Sequence, residues 1–487
     1  MRRYIFFALL ACIALPFKAQ DDYHFLKQRM NESSLPLINL RTDSVINKNG
    51  FVDGIIDIAD YQCRTDFFSD SVRFFCKIKY RGTSAQNYNK KSFAIKLVDQ
   101  YGKDLDVNLF GIREENSWIL DAMAVDRIRM RNRICFDVWN DLDKTPYNTK
   151  YGNRNGTSGL FVEVFINGVY EGLYCLSDKI DRKLLGLKKA QVATNGNVSL
   201  KGVMYKGISW DVYSTYLLGY DDTYPVDGVV WNEWELEYPS DYPSASTWQP
   251  LMDLIDFCSQ TNDNTAFLQG YQDYFYFDNL VNYFVFTQAM NVGDNFCKNT
   301  FLSTVDLSVS HRYLVTPWDM DMSLGSYWDG GYRTSMCKFN RYDETPPFDK
   351  LYVRNLDGFR DRIADKWADC CLTLFSPDSI ISRLDRYAEQ FVASGAWERE
   401  YNRWNGSPVA LKESVFEELE FVKDWYIRNY NWICTNLGAA PYAEVFAPDV
   451  REKASGLYML DGRRLDLKDG EIPPNGIYIR DGKKIAY

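Results

Sequence analysis

Histidine is almost missing: only His24 and His311 occur in 487 residues. That scarcity argues against a histidine-built metal centre and against nucleophilic catalysis with a histidine base. None of the eleven cysteines stands in a C-x-x-C pair, so the spacing of a zinc site is absent. Positive charge is in deficit. The chain carries 56 Lys and Arg against 66 Asp and Glu, a formal charge of −10, the wrong sign for a nucleic-acid partner. Long apolar runs are also lacking. Apart from Tyr4 to Phe17, which is shorter than the ~20 residues of a membrane span, none occurs, so no transmembrane segment is expected.

What is present begins with a leader. Met1-Arg2-Arg3 is a basic start, Tyr4 to Phe17 an apolar run, and Phe17-Lys18-Ala19 precedes Gln20. This reads as a signal peptide over 1–19, cut after Ala19. The destination expected is extracellular or cell-surface, with the periplasm as a second choice. Leu9-Leu10-Ala11-Cys12 offers a lipoprotein reading through Cys12, but the apolar run ahead of it is short. The ten later cysteines are an even number in an exported chain, which permits disulfides. Hydrophobic residues make up 46%, enough for a large core. The 16% aromatic content fits an aromatic core first and sugar-stacking surfaces second.

The stretch from Asn291 to Gly325 carries a dense set of oxygen ligands. Asp294 and Asn299 stand five apart, a hairpin is expected next, and Trp318-Asp319-Met320-Asp321 follows. Carboxylates and an amide in this number suit a hard cation such as Mg²⁺, with substrate phosphates completing its shell. Protein kinases place an Asp, four residues and an Asn on one loop, and a further metal-binding Asp downstream. Turn and helix capping is the competing use of the same residues. Asp319 and Asp321, two apart at a strand end, face alike. That favours joint metal binding over the opposed carboxylates of a glycosidase.

Val72 to Leu97 reads as two strands flanking a polar loop. Phe74, Cys76, Ile78 and Tyr80 alternate with mostly polar residues, and Phe93, Ile95 and Leu97 repeat the pattern. The loop carries Arg81, Gly82, Thr83, Ser84, Lys90 and Lys91. It reads either as a phosphate clamp or as an ordinary hairpin with solvated lysines. A short buried strand is expected at Trp118-Ile119-Leu120. A helix is expected over 126–141, with Arg127, Arg129, Arg131 and Arg133 forming a solvated basic face. The alternative is that Arg131 faces an anionic ligand or a carboxylate. Asn167-Gly168 marks a hairpin. Helices are expected around Leu251 to Ile255, Leu280 to Phe286 and Val415 to Tyr426. The resulting class is α+β: a β-rich part with one helix over 20–186, an insertion and helical part over 187–440, and a small β tail over 453–487.

Several of these blocks, in this order, resemble the CotH kinase family of spore-coat and secreted proteins. They are Arg81-Gly82-Thr83-Ser84 with Lys90-Lys91-Ser92-Phe93-Ala94-Ile95-Lys96-Leu97, then Trp118-Ile119-Leu120 with Asp126 and Arg131-Asn132. Val162 to Tyr174, Asp294 to Asn299 and Trp318 to Gly325 complete the set. The resemblance covers about 37–437. It implies a two-lobe, atypical protein-kinase-like fold and Mg²⁺-dependent transfer of the ATP γ-phosphate to Ser or Thr of a protein substrate, with Mg²⁺ or another divalent cation as cofactor. On that reading Asp294 is the base or positioning group, Asn299 and Asp319 hold the metal, and Asp321 backs them. Lys91, with Lys90 as runner-up, meets the phosphates beside Arg81, Ser84 and Arg131. Two departures stand out. Thr83 replaces a customary Asn, and no Glu on helix 126–141 offers itself to the clamp lysine.

The tail, with Gly456 to Leu465 and Pro474 to Lys484 as hairpin signals, resembles C-terminal sorting domains of exported Bacteroidetes proteins. It implies a contact with secretion machinery. Two other functions stay open: a kinase-shaped protein that adenylylates or only binds nucleotide, and a glycan-binding or glycan-cleaving surface protein.

Overall fold

The computed structural model describes residues 26, 29–30, 32–62, 71–192, 194, 198–210, 213–337 and 345–442, and four short strands between 457 and 486. The leader, Cys12 and Cys63 lie outside the described residues. The chain divides into two compact units, Met1–Gly438 and Ala439–Tyr487.

Seven strands of the first unit close into a barrel: β1 (Leu37–Arg41), β2 (Val52–Ala59), β3 (Ser71–Arg81), β4 (Ser92–Val98), β5 (Ser117–Asp121), β6 (Gly159–Ile166) and β7 (Val169–Ser177). The order around it is β1–β6–β7–β5–β4–β3–β2, with only β1 and β6 parallel. Alternation drives this. Val72, Phe74, Cys76 and Ile78 of β3 and Phe93, Ile95 and Leu97 of β4 point to one interior, where they meet Trp118, Val162, Val164 and Tyr174. Closure leaves no edge strand for another chain to pair with. At the expected hairpin Asn167 and Gly168 both have positive φ, 49° and 79°, the twist that a two-residue turn between antiparallel strands requires.

One helix, α1 (Arg131–Leu142), lies between β5 and β6 in sequence. It corrects the expected helix over 126–141 and the expected solvated basic face. The Asp126 carboxylate accepts from the Met130 and Arg131 backbone N–H groups at 2.7 Å each, so the helix starts at Arg131. Arg129, Arg131 and Arg133 are all buried.

Besides three two-stranded ribbons, the rest of the unit among the described residues is chiefly a five-stranded antiparallel sheet and seven α-helices. The strands are β8 (Val203–Gly207), β9 (Val230–Trp231), β10 (Trp234–Tyr238), β11 (Thr300–Thr304) and β12 (Leu314–Pro317), in the order β9–β10–β8–β11–β12. The helices are α2 (Ala245–Gln260), α3 (Asn264–Tyr274), α4 (Phe277–Ala289), α5 (Phe359–Cys371), α6 (Pro377–Ala393), α7 (Ala396–Trp404) and α8 (Val415–Leu437). Leu251, Leu254, Ile255, Leu280, Phe284, Val415, Leu419 and Val422 are buried, as their helical spacing implied.

The α+β class therefore holds. The expected two lobes do not separate into two compact units: the β-rich part is a closed barrel, and it shares one unit with the helices. The nine described cysteines are free thiols. Among the described residues no helix is long and apolar enough to cross a membrane. In the second unit β13 (Leu457–Met459), β14 (Arg464–Leu465), β15 (Ile477–Arg480) and β16 (Lys483–Ala486) form an antiparallel sheet in the order β14–β13–β15–β16.

Candidate active site

Two loops on either side of the β11–β12 hairpin are zipped into one. The loop after α4 runs over 291–299, and the turn after β12 over 318–325. Gly293 N donates to Met322 O and Leu324 N to Met290 O, both at 2.9 Å. Trp318 N donates to Asn299 O and Asn299 N to Gly207 O, both at 2.8 Å. The Asn295 amide bonds the Asn299 and Trp318 carbonyls at 2.8 Å each. Gly207 is obligatory here, because a Cβ would sit 2.1 Å from the Cys297 carbonyl oxygen. Asn299 and Asp319 both have positive φ, 56° and 53°. Asn and Asp tolerate that conformation better than most residues, and such backbone concentrates at functional sites.

The outer edge of β12 is held by side chains instead of another strand. Asn279 of α4 accepts from Val315 N at 2.8 Å and donates to Val315 O at 3.1 Å, imitating a strand partner. Asn155 accepts from Thr316 Oγ1 and donates to Val315 O. Behind them the buried Asp143 carboxylate accepts from the amides of Asn155, Asn279 and Asn282 at 2.7, 3.0 and 2.9 Å. Burial pushes its carboxyl up to about 6, against the pull of those three amides. The strand that delivers Asp319 is thus pinned on both sides.

These contacts gather carboxylates from three places. Asp121, at the end of β5, and Asp319 line one small cavity of about 40 Å³, together with Arg81, Asn132 and Trp318. Withdrawal from bulk water and repulsion by Asp121 and Asp294 raise the Asp319 carboxyl, while Arg81 and Lys206 pull it down. The Asp319 side chain stays open to solvent, so the repulsion is the firmer cause. Asp321 is pushed well above the carboxylate range by burial, then by Asp319, Asp121, Asp126 and Asp294. Asn299 Nδ2 donates to Asp294 Oδ2 at 3.3 Å, and Lys298 Nζ stands 3.5 Å from the same oxygen. The four residues singled out by spacing, Asp294, Asn299, Asp319 and Asp321, therefore come together.

The expected phosphate ligands are distributed differently. Arg81 is in the recess, its guanidinium 5.5 Å from the centre of the Trp318 ring. Lys206, on β8, lies 5.9 Å from the Phe301 ring and acts on the same Asp319. Among the described residues neither cation makes a hydrogen bond or an ion pair. Ser84 opens a short 3-10 turn, Ser84–Asn87. Lys91 donates to the Gln86 carbonyl at 2.6 Å. Lys90 is fully buried and donates to Glu400 Oε1 and Leu173 O at 2.6 Å each. Arg131 is an ion-pair residue: its NH1 meets Asp126 Oδ1 at 2.5 Å. The lysine does have a glutamate partner, supplied by α7, 310 residues later.

Asp121, Lys206 and Glu400 escaped sequence reasoning, as did any role for Asn132. Asp121 stood one residue past the strand Trp118-Ile119-Leu120, and a carboxylate closing a buried strand was the available signal. Lys206 and Glu400 carry no local pattern that could have betrayed them.

The donor set fits a divalent cation of one kind. Among the described residues no three His, Cys, Asp or Glu side chains form a ready-made metal cage. Mg²⁺ does not need one, since one or two carboxylates, waters and substrate phosphates complete its octahedron. Asp319 and Asp321 would supply the carboxylates, and Arg81 and Lys206 the positive charge a polyphosphate would meet. A cavity of about 450 Å³ opens elsewhere, between α1 and α6, and contains none of these residues. The family model described as CotH kinase protein matches residues 78–433, well over half of the chain. No curated protein matches the chain.

Proposed function

Because the chain belongs to the CotH kinase family, we propose that it is an Mg²⁺-dependent protein kinase, moving the γ-phosphate of ATP to a Ser or Thr hydroxyl of an extracytoplasmic protein. The observation that carries this reading is the meeting of Asp294, Asn299, Asp319 and Asp321 beside Arg81 and Lys206, whose charges act on Asp319 and which make no ion pair among the described residues.

Arg81 and Lys206 are the groups for the phosphates, since Lys90 is enclosed and Lys91 is spent on a carbonyl. Asp319 and Asp321, with the side-chain amide oxygen of Asn299, would hold the cation. When bound, Mg²⁺ supplies charge neutralisation of the phosphates. Asp294 orients the acceptor hydroxyl and receives its proton as the oxygen bonds to phosphorus and the bond to the ADP oxygen breaks. Lys298 Nζ, 3.5 Å from Asp294 Oδ2, places a positive charge beside that carboxylate. The leader supports export, and the tail sheet a surface or secreted destination through a secretion apparatus.

The test is phosphate transfer from labelled ATP to protein, read by mass spectrometry. Asp319→Asn should abolish transfer and the Mg²⁺-induced rise in melting temperature, which reflects binding to the folded state. Asp294→Asn should abolish transfer and keep nucleotide binding. Wild-type rates in both variants would discard the kinase reading, and an AMP adduct in place of phosphate would make the protein an adenylyltransferase.

A further inference from the structure

We infer that Asn132 is a positioning residue that clips the barrel to the metal-ligating turn and so sets the gap between Asp121 and the Asp319–Asp321 pair. The inference rests on the metal-dependent reading above. Both ends of the Asn132 amide are in use. Its Nδ2 donates to Asp121 Oδ2 at 3.1 Å, and its Oδ1 accepts from Met320 N at 3.1 Å. Met320 is the residue between the two candidate ligands. Holding its N–H fixes the peptide that joins it to Asp319, at the point where Asp319 is in left-handed backbone.

The other partners of this clip are themselves fixed. Asp121 Oδ1 accepts from Met123 N at 3.0 Å and from Ser92 Oγ at 3.5 Å, which ties it to the end of β5 and the start of β4. Asn132 is the second residue of α1, whose first turn is anchored by the Asp126 carboxylate. Strand, helix and turn therefore converge on one planar amide.

The chemistry of the junction asks for an amide. One end must donate to a carboxylate and the other must accept from a backbone N–H, with fixed spacing between them. A carboxylate of the same shape cannot donate, and a hydroxyl cannot reach both partners. Partners that orient metal ligands in this way are worth ten- to a hundredfold in metal affinity.

The full chain is titrated with Mg²⁺ in the presence of a non-hydrolysable ATP analogue, following both calorimetric binding and the melting temperature. Asn132→Ala should weaken Mg²⁺ at least tenfold, leaving the metal-free melting temperature and analogue binding without Mg²⁺ close to wild type. Asn132→Ser, which keeps polarity but not reach, should do the same. Adding Asp121→Ala to Asn132→Ala should change Mg²⁺ affinity by less than the sum of the two single effects, because both cut one linkage. Unchanged Mg²⁺ affinity in Asn132→Ala, or full additivity, overturns the proposal while leaving the kinase reading intact. Failure of both Asn132 variants to fold makes the residue structural and also overturns it. A wild type that ignores Mg²⁺ overturns the metal reading and this proposal together.

Discussion

Lys90 is the residue whose environment differs most from an exposed lysine. Its ammonium has no exposed surface, lies 4.7 Å from the Tyr174 ring centre and shares Glu400 with Arg129, whose Nε is 2.8 Å from the same oxygen. Glu400 Oε2 accepts from Leu173 N at 2.8 Å, so one carboxylate serves two cations and a strand. Burial pushes the Lys90 ammonium down to about 8 although Glu400 pulls it up. Despite its own burial, Glu400 is held below the usual carboxylate value by Lys90 and Arg129. The cluster is thus ionised at neutral pH. Glu400→Gln would leave two buried cations uncompensated, and uncompensated buried charge costs about 3–5 kcal/mol. Urea unfolding should register that loss, whereas Lys91→Ala, which removes one bond to a carbonyl, should cost about 1 kcal/mol. Equal losses in the two variants would contradict the assignment of Lys90 to the frame.

Elements explain what could and could not be read in advance. The barrel strands and the buried helices were legible because alternation and helical spacing record which face is covered. The gathering of Asp294, Asn299, Asp319 and Asp321 was legible because they lie within 28 residues of one another in the chain. The arginines at 127, 129, 131 and 133 misled because a run of charge resembles a solvated face. The Asp126 carboxylate delays the helix to Arg131, and Arg129, at φ 57°, turns inward to Glu400. Contacts such as Asn132 to Met320, 188 residues apart, leave no periodic trace. The same holds for the Asp143 knot joining α1, α4 and β12, which makes a prediction at this scale. Its carboxyl is raised from the ordinary 3.8 to about 6, so the folded chain holds that proton more tightly than the unfolded one. The stabilisation is complete below about 4 and is lost as pH rises through about 6. Asp143→Asn removes this dependence and deprives some of the three amides of their acceptor. The gap in melting temperature between wild type and Asp143→Asn should therefore widen as pH falls from 7 to 5. A constant gap would mean that Asp143 does not titrate in this window.

At the scale of the whole molecule, two independent boundaries separate the candidate site from the tail in the chain. The first compact unit ends at Gly438, and the family match ends at residue 433. The last helix of that unit, α8, is properly closed. Gly438 takes the left-handed conformation at φ 73°, and its N–H bonds the Cys434 carbonyl, the way a glycine ends a helix. The buried face of α8, from Val415 through Trp425 to Cys434, lies wholly before that glycine. Every candidate ligand, from Arg81 to Asp321, and every group of the Lys90–Glu400 cluster also precede it. A chain ending at Ala440 keeps the whole of α8 and its cap. It should melt within about 2 °C of the full chain, since a change well under 1 kcal/mol moves a large domain by less than that. Its Mg²⁺-induced stabilisation and its rate of phosphate transfer should match the full chain, while delivery to the cell surface should fail. The checks are thermal unfolding with and without Mg²⁺, the labelled-ATP assay, and fractionation of cells producing each form. Loss of transfer in a truncated protein that still melts normally would assign the tail to the reaction, and unchanged surface delivery would remove its sorting role.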